Sequence, residues 1–208
     1  MAAAVAAALD IPLSAERLAA GAAEATRAME QARGADRGRA AAYLEALFRV
    51  AGVPADRMVA VRDCLTRLHQ QRHLWSSLAA DTHEALGRLR AAGIRLGVVS
   101  NSDGRVEEAL EAADLLRYFD VVLDSALVGV EKPDPAIFRA ALEALDVRPD
   151  EALFVGDLYE VDVVGARAAG MTAVLLCPPG GGPDDRCRTI RSLNALADDL
   201  LQGDIAAS

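Results

Sequence analysis

Apolar residues recur at three- and four-residue spacing from Ser14 to about Arg33, from about Arg37 to Val50 and from Pro54 to His73, which predicts three amphipathic helices. The breaks between them, Gly34-Ala35-Asp36 and Gly52-Val53-Pro54, are short and turn-forming, so the helices are expected to pack as antiparallel neighbours. After Trp75-Ser76-Ser77 the pattern changes. A helix over Thr82 to Ala92 stops at Gly93, and Ile94 to Val99 reads as a strand ending in Ser100-Asn101. A helix from Asp103-Gly104 to Leu116, a strand over Phe119 to Asp124 and a helix from Ala136 to Leu145 follow, the last opened by Lys132-Pro133-Asp134-Pro135. Leu153 to Val155 and Thr172 to Leu176 complete the strands. Pro178 to Pro183 reads as a loop and Ile190 to Leu201 as an amphipathic helix.

Strands alternating with helices imply an α/β fold: a parallel sheet with helices on both faces, preceded by a helical module. The expected division is 1–78 for the module and 79–208 for the sheet-bearing core. Right-handed crossovers would bring the polar strand ends to one sheet edge, where open α/β sheets place their ligands.

That edge concentrates the candidate chemistry. Leu153-Phe154-Val155 ends in Gly156-Asp157, and Asp162 follows five residues later at the start of the next helical segment. Two hard oxygen donors there suit Mg²⁺. The same residues also suit a turn and a helix cap, and alone they do not separate the two readings.

Composition narrows the partners. The chain has 208 residues, of which 52% are hydrophobic, 4% aromatic and 25% charged, with a net charge of −9. That suits helices around a sheet, and the acidity argues against a nucleic-acid partner. Cys64, Cys177 and Cys187 form neither a disulfide framework nor a CxxC site, consistent with a reducing cytosol. The apolar opening from Met1 to Leu9 lacks a basic flank and meets Asp10 too early for a signal peptide or membrane span. His69 and His73 have the i, i+4 spacing of a metal pair, but no third ligand lies near them in sequence, and solvent-facing helix histidines are the better reading.

Among 22 lysines and arginines, Lys132 is the single lysine. A compact ammonium kept where every other cation is arginine points to chemistry that wants a point charge. Ser100, Asn101, Lys132, Asp157 and Asp162 together supply a hydroxyl, backbone N–H groups, an ammonium and carboxylates, the groups that phosphoryl transfer uses.

The motifs Val98-Val99-Ser100-Asn101, Glu131-Lys132-Pro133-Asp134-Pro135-Ala136-Ile137-Phe138 and Gly156-Asp157-Leu158-Tyr159-Glu160-Val161-Asp162 resemble, in order and spacing, three motifs of the haloacid dehalogenase-like hydrolase superfamily. The resemblance runs from about Asp81 to Leu176, and the helical module resembles that family's substrate-selecting cap. It implies a Rossmann-like core and a Mg²⁺-dependent phosphatase acting on a small phosphorylated metabolite through an aspartyl-phosphate. Ser100 would bind a phosphoryl oxygen, Asn101 would help position it through its backbone, and Lys132 would pair with nucleophile and phosphate. Asp157 would ligate Mg²⁺, with Asp162 as ligand or support. The dehalogenase branch of the superfamily needs no Mg²⁺, so the two acids favour the phosphatase branch.

The family's opening strand, ending in Asp-x-Asp-Gly-Thr and carrying the nucleophile, has no counterpart here. Asp10 is followed two positions on by Pro12, which transfers no proton. By that resemblance the chain reads as N-terminally incomplete and inactive as written, with a missing strand between those ending at Ser100 and Asp157. The competing expectation is a non-catalytic phosphate-binding or interaction protein. A phospho-acceptor receiver domain has its acids before its hydroxyl and lysine, the reverse of the order here. A dinucleotide-binding fold would need a G-x-G-x-x-G after the Ile94 strand.

Overall fold

The computed structural model describes residues 2–32, 36–71, 78–177 and 184–205. His73, Trp75 and the Pro178 to Pro183 stretch fall outside them. The chain forms two compact units, Met1–Ser77 and Leu78–Ser208.

The first unit is helical: α1 (Ala2–Leu9), α2 (Ala15–Gln31), α3 (Asp36–Val50) and α4 (Met58–Gln71). The sequence pattern predicted three of these and missed α1, whose nearly uniform alanine content carries no amphipathic period. Ser14 caps α2 by accepting the Arg17 N–H at 3.2 Å. Asp10 lies in the turn after α1, with φ 50°, and not on a strand. The unit closes around Val5, Phe48 and Val61, all fully buried, with Leu47 and Leu65 beside them. Burying a side chain of this size stabilises by roughly 1.5–3 kcal/mol, so this unit has an apolar core of its own.

The second unit is α/β. In order it contains α5 (Thr82–Ala91), β1 (Gly97–Ser100), α6 (Val106–Ala112), β2 (Val121–Asp124), α7 (Ser125–Val128) and α8 (Pro135–Leu145). Then come β3 (Leu153–Gly156), α9 (Val164–Ala168), β4 (Thr172–Leu176), β5 (Thr189–Ile190) and α10 (Leu193–Gln202). Among the described residues every strand pairing is parallel. Alternation along β3 and β4 sorts the side chains: Phe154, Ala173 and Leu175 pack with Ile137 and Phe138 of α8, whereas Val155 and Val174 pack with Leu196 of α10. Helices thus cover both faces.

Several expected boundaries shift for local reasons. The strand expected over Ile94 to Val99 begins only at Gly97, because the Leu96 N–H is taken by the Asp120 carboxylate and Arg95 reaches the carbonyls of Leu145 and Asp146. The strand expected from Phe119 starts at Val121, and α7 and β5 were not foreseen. The helix expected through Leu116 ends at Ala112, before a single tight turn over Leu116–Tyr118.

The strands were expected to form one parallel sheet with a strand missing between those ending at Ser100 and Asp157. Among the described residues they form two, β1-β2 and β3-β4-β5, with no ladder joining β1 to β3. Both inner strands are apolar yet only half-buried, in contrast to Ala173, Val174 and Leu175 of β4, which are buried. Helix α8 spans the break: Val99 of β1 and Phe154 of β3 pack in the same cluster as Ile137 and Phe138. Among the described residues, no helix is long and apolar enough to cross a membrane.

Candidate active site

The site is built where β1 and β3 end. Ser100 is the last residue of β1 and stands directly opposite Asp124 in the ladder. Asn101 follows, and its side chain reaches the next loop: Nδ2 donates to the Lys132 carbonyl at 3.0 Å, and the Lys132 N–H donates to Oδ1 at 2.8 Å. The Asn101 amide therefore clamps the Lys132 backbone.

The Lys132 side chain, 12% exposed, runs inward to Asp162, with Nζ 2.8 Å from Oδ1. Nζ also lies 5.4 Å from the centre of the Phe154 ring, whose π face favours a cation. Phe154 is itself set by an edge-on contact with Phe138, ring centroids 4.9 Å apart. An ammonium removed from water in this way needs its counter-charge, and Asp162 supplies it.

Asp162 sits in the single wide helical turn Tyr159–Val163 that leads into α9. Wide turns of this kind are rare and occur often at functional sites. The turn folds the carboxylate back under the end of β3, where Oδ2 accepts the N–H groups of Asp157 at 3.1 Å and Leu158 at 3.0 Å. Asp162 is 2% exposed, and both its oxygens are engaged. It therefore links Lys132 to the backbone of Asp157.

Asp157 is exposed at the strand end. The two acids of the motif accordingly differ in setting: Asp157 faces solvent, and Asp162 is an internal strut. The motif resemblance implies Asp157 as a metal ligand and Asp162 as ligand or support; here the Asp162 oxygens are turned to Lys132 and to the N–H groups of Asp157 and Leu158. Among the described residues no group of three or more His, Cys, Asp or Glu side chains is arranged to hold a metal ion. Mg²⁺ commonly takes one or two protein carboxylates and fills the rest of its shell with phosphate and water, and the exposed Asp157 carboxylate is a donor of the type it uses.

Asp124 was not foreseen. This carboxylate is 3% exposed and accepts the N–H groups of Gly104, Val106 and Ala126. The signal available in the sequence was an acid followed by serine at the end of an apolar run.

A family model for haloacid dehalogenase-like hydrolases matches residues 2–170. The chain belongs to that family. A curated relative, haloacid dehalogenase-like hydrolase domain-containing protein 3 of Mus musculus, is 42% identical over 130 residues, 62% of this chain and 51% of that protein. The phosphoserine phosphatase of Thermus thermophilus is 36% identical over 158 residues, 73% of this chain and 61% of that protein. The chain thus spans about half the length of the curated relatives it matches. Among solved structures, a HAD phosphatase from Thermococcus onnurineus is 27% identical with a TM-score of 0.60, covering 89% of this chain and 91% of that one. A magnesium-bound HAD hydrolase of Bacillus subtilis has a TM-score of 0.69 at 20% identity, covers 94% of this chain and 87% of that one, and shares the Rossmann-like fold.

Proposed function

We propose that this HAD-like hydrolase chain carries the phosphate- and metal-binding half of a Mg²⁺-dependent phosphatase site for a small phosphorylated metabolite. The observation that carries this reading is the Asp162 strut, which fixes a desolvated ammonium next to the strand end that presents Asp157. Phosphatase-named relatives in Thermus thermophilus and Mycobacterium tuberculosis support the phosphoester class. Three free thiols accord with a reducing cytosol.

In this reading Ser100 donates its hydroxyl to a phosphoryl oxygen, with the backbone at Asn101 helping to hold the group. The Lys132 ammonium neutralises charge as it develops on the phosphoryl group. Asp157 holds Mg²⁺, which when bound polarises the phosphoryl group and offsets its charge. Asp162 keeps Lys132 and the Asp157 peptide in register and touches neither substrate nor metal.

Covalent turnover needs a carboxylate that attacks phosphorus, expels the alcohol and is then released by water. Asp10, in a helical-unit turn, does not supply it. We propose that the break between β1 and β3 marks the place of a strand bearing that carboxylate, and that residues 1–208 alone bind phosphate without turning it over. The same break favours a second reading, a non-catalytic phosphate-binding protein.

Titration of the 208-residue chain with inorganic phosphate and Mg²⁺ tests the site. Binding is expected, weakened by Ser100→Ala, and Mg²⁺ dependence is expected to be lost in Asp157→Asn. Hydrolysis of an aryl phosphate is expected only after an apolar strand ending in Asp-x-Asp is joined upstream. Turnover by the unextended chain that Asp157→Asn abolishes overturns the account of the absent nucleophile. Absence of turnover in the extended chain favours the non-catalytic reading.

A further inference from the structure

Asp124 is a buried carboxylate with no task in the mechanism above. It ends β2 directly across the ladder from Ser100, and its hydrogen bonds cross from there to the segment that follows Ser100. Oδ1 accepts the Gly104 and Ala126 N–H groups at 3.0 Å each, and Oδ2 accepts Gly104 at 3.0 Å and Val106 at 3.2 Å. The adjacent Ser125 hydroxyl adds two bonds, accepting the Ser102 N–H at 3.1 Å and donating to the Ser102 carbonyl at 3.3 Å.

Ser102 to Arg105 contains no apolar residue to anchor it, and Gly104 at φ 93° adopts a conformation costly for other residues. Packing cannot shape such a loop, so polar bonds must. Here they come from consecutive residues of one strand end. A carboxylate suits the task because it only accepts, and every group facing it in these bonds is an N–H.

We propose that Asp124, assisted by Ser125, is a positioning residue for phosphate recognition: it holds the 102–106 loop and through it the Ser100 hydroxyl and the Asn101 backbone. This rests on the phosphate reading above and adds to it the residue that prepares the subsite. A loop already ordered binds an anion without the loss of freedom that a mobile one would suffer.

The test is calorimetric titration of the 208-residue chain with inorganic phosphate in the presence of Mg²⁺, using Asp124→Asn, Ser125→Ala, Ser125→Thr and Ser100→Ala. In Asp124→Asn an amide NH₂ meets N–H donors, and phosphate affinity is expected to fall about tenfold, the scale of one lost hydrogen bond to a charged group. Amide exchange is expected to quicken at 102–106 while β3 and β4 stay protected. Ser125→Ala is expected to weaken phosphate several-fold by the loss of its hydroxyl bonds, and Ser125→Thr to restore it.

A purely structural role would lower the unfolding midpoint and leave the folded protein's phosphate affinity unchanged, and that result overturns the proposal. If Asp124→Asn does not fold, the Ser125 pair decides: equal affinity in Ser125→Ala and the parent overturns it. Normal phosphate binding by Ser100→Ala would instead sink the phosphate reading itself. A loss in Ser100→Ala with normal binding in Asp124→Asn and Ser125→Ala would sink only the role of Asp124.

Discussion

Asp162 occupies the space in which a side chain on Gly156 would lie: a Cβ built there overlaps the Asp162 Cβ, Cγ and Oδ2. The glycine before Asp157 is therefore required by close approach, not by an unusual backbone angle. Gly156→Ala is expected to push the carboxylate off Lys132 and the two N–H groups, destabilising the second unit by about 1–3 kcal/mol, the range for overpacking a tight interior. Urea unfolding checks this. An unchanged midpoint would mean that the wide turn relaxes freely and that Asp162 is not a fixed strut.

Lys132 and Asp162 form a desolvated pair, with side chains 12% and 3% exposed. Removing one partner leaves the other charge buried, so Lys132→Met or Asp162→Asn is expected to cost about 3–5 kcal/mol. The double variant leaves no stranded charge and is expected to be more stable than the sum of the two losses predicts. Equilibrium unfolding of the four proteins gives the coupling, and strict additivity would argue that the pair is not an interacting unit.

The proposed site residues could be named from the sequence because they sit at motif positions at or between strand ends, where parallel sheets are expected to meet ligand. What the sequence left open was the role of each acid. Asp157 and Asp162 have identical chemistry at a spacing that suits either a metal pair or a cap. The wide turn, which packs Asp162 against Gly156, gives the two acids different settings that the spacing does not show. Helix α7 was illegible for a related reason: Ala126, Leu127 and Val128 are too short an apolar run after Asp124-Ser125 to show a period, and the switch to helix is made by the Asp124 side chain bonding the Ala126 N–H. The short strand β1 shows the converse, since side chains of Asp120 and Arg95 claim the segment whose alternation suggested a longer one.

The Asp120 carboxylate accepts the Leu96 N–H at 2.9 Å and pairs with Arg90. These contacts, the backbone bond first, hold its carboxyl below the ordinary range against a smaller opposing effect of burial. The folded pKa is the lower one, so the stabilisation is complete above the ordinary carboxylate pKa and disappears as pH falls through the depressed value. The stability gap between the parent and Asp120→Asn is therefore expected to be constant near neutrality and to shrink in acid below about pH 4. Thermal unfolding over that range, at low salt, checks it. A gap that stays constant into strong acid would assign the effect to shape and not to charge.

Asn101 and Lys132 are joined by two bonds that use both ends of the Asn101 amide, since one is donated to a carbonyl and the other accepted from an N–H. Asn101→Asp keeps the acceptor for the Lys132 N–H but turns the donor into an oxygen facing the Lys132 carbonyl. Asn101→Ala removes both partners. Each is expected to cost about 1–3 kcal/mol of stability, because part-buried backbone groups lose their match. The loop carrying Lys132 is then held at Nζ but not at its backbone, so phosphate affinity is expected to fall in both variants under conditions where they remain folded. Unfolding and phosphate titrations on the same samples separate the two effects. Full phosphate affinity in a destabilised Asn101→Ala would show that Asp162 alone suffices to aim the ammonium.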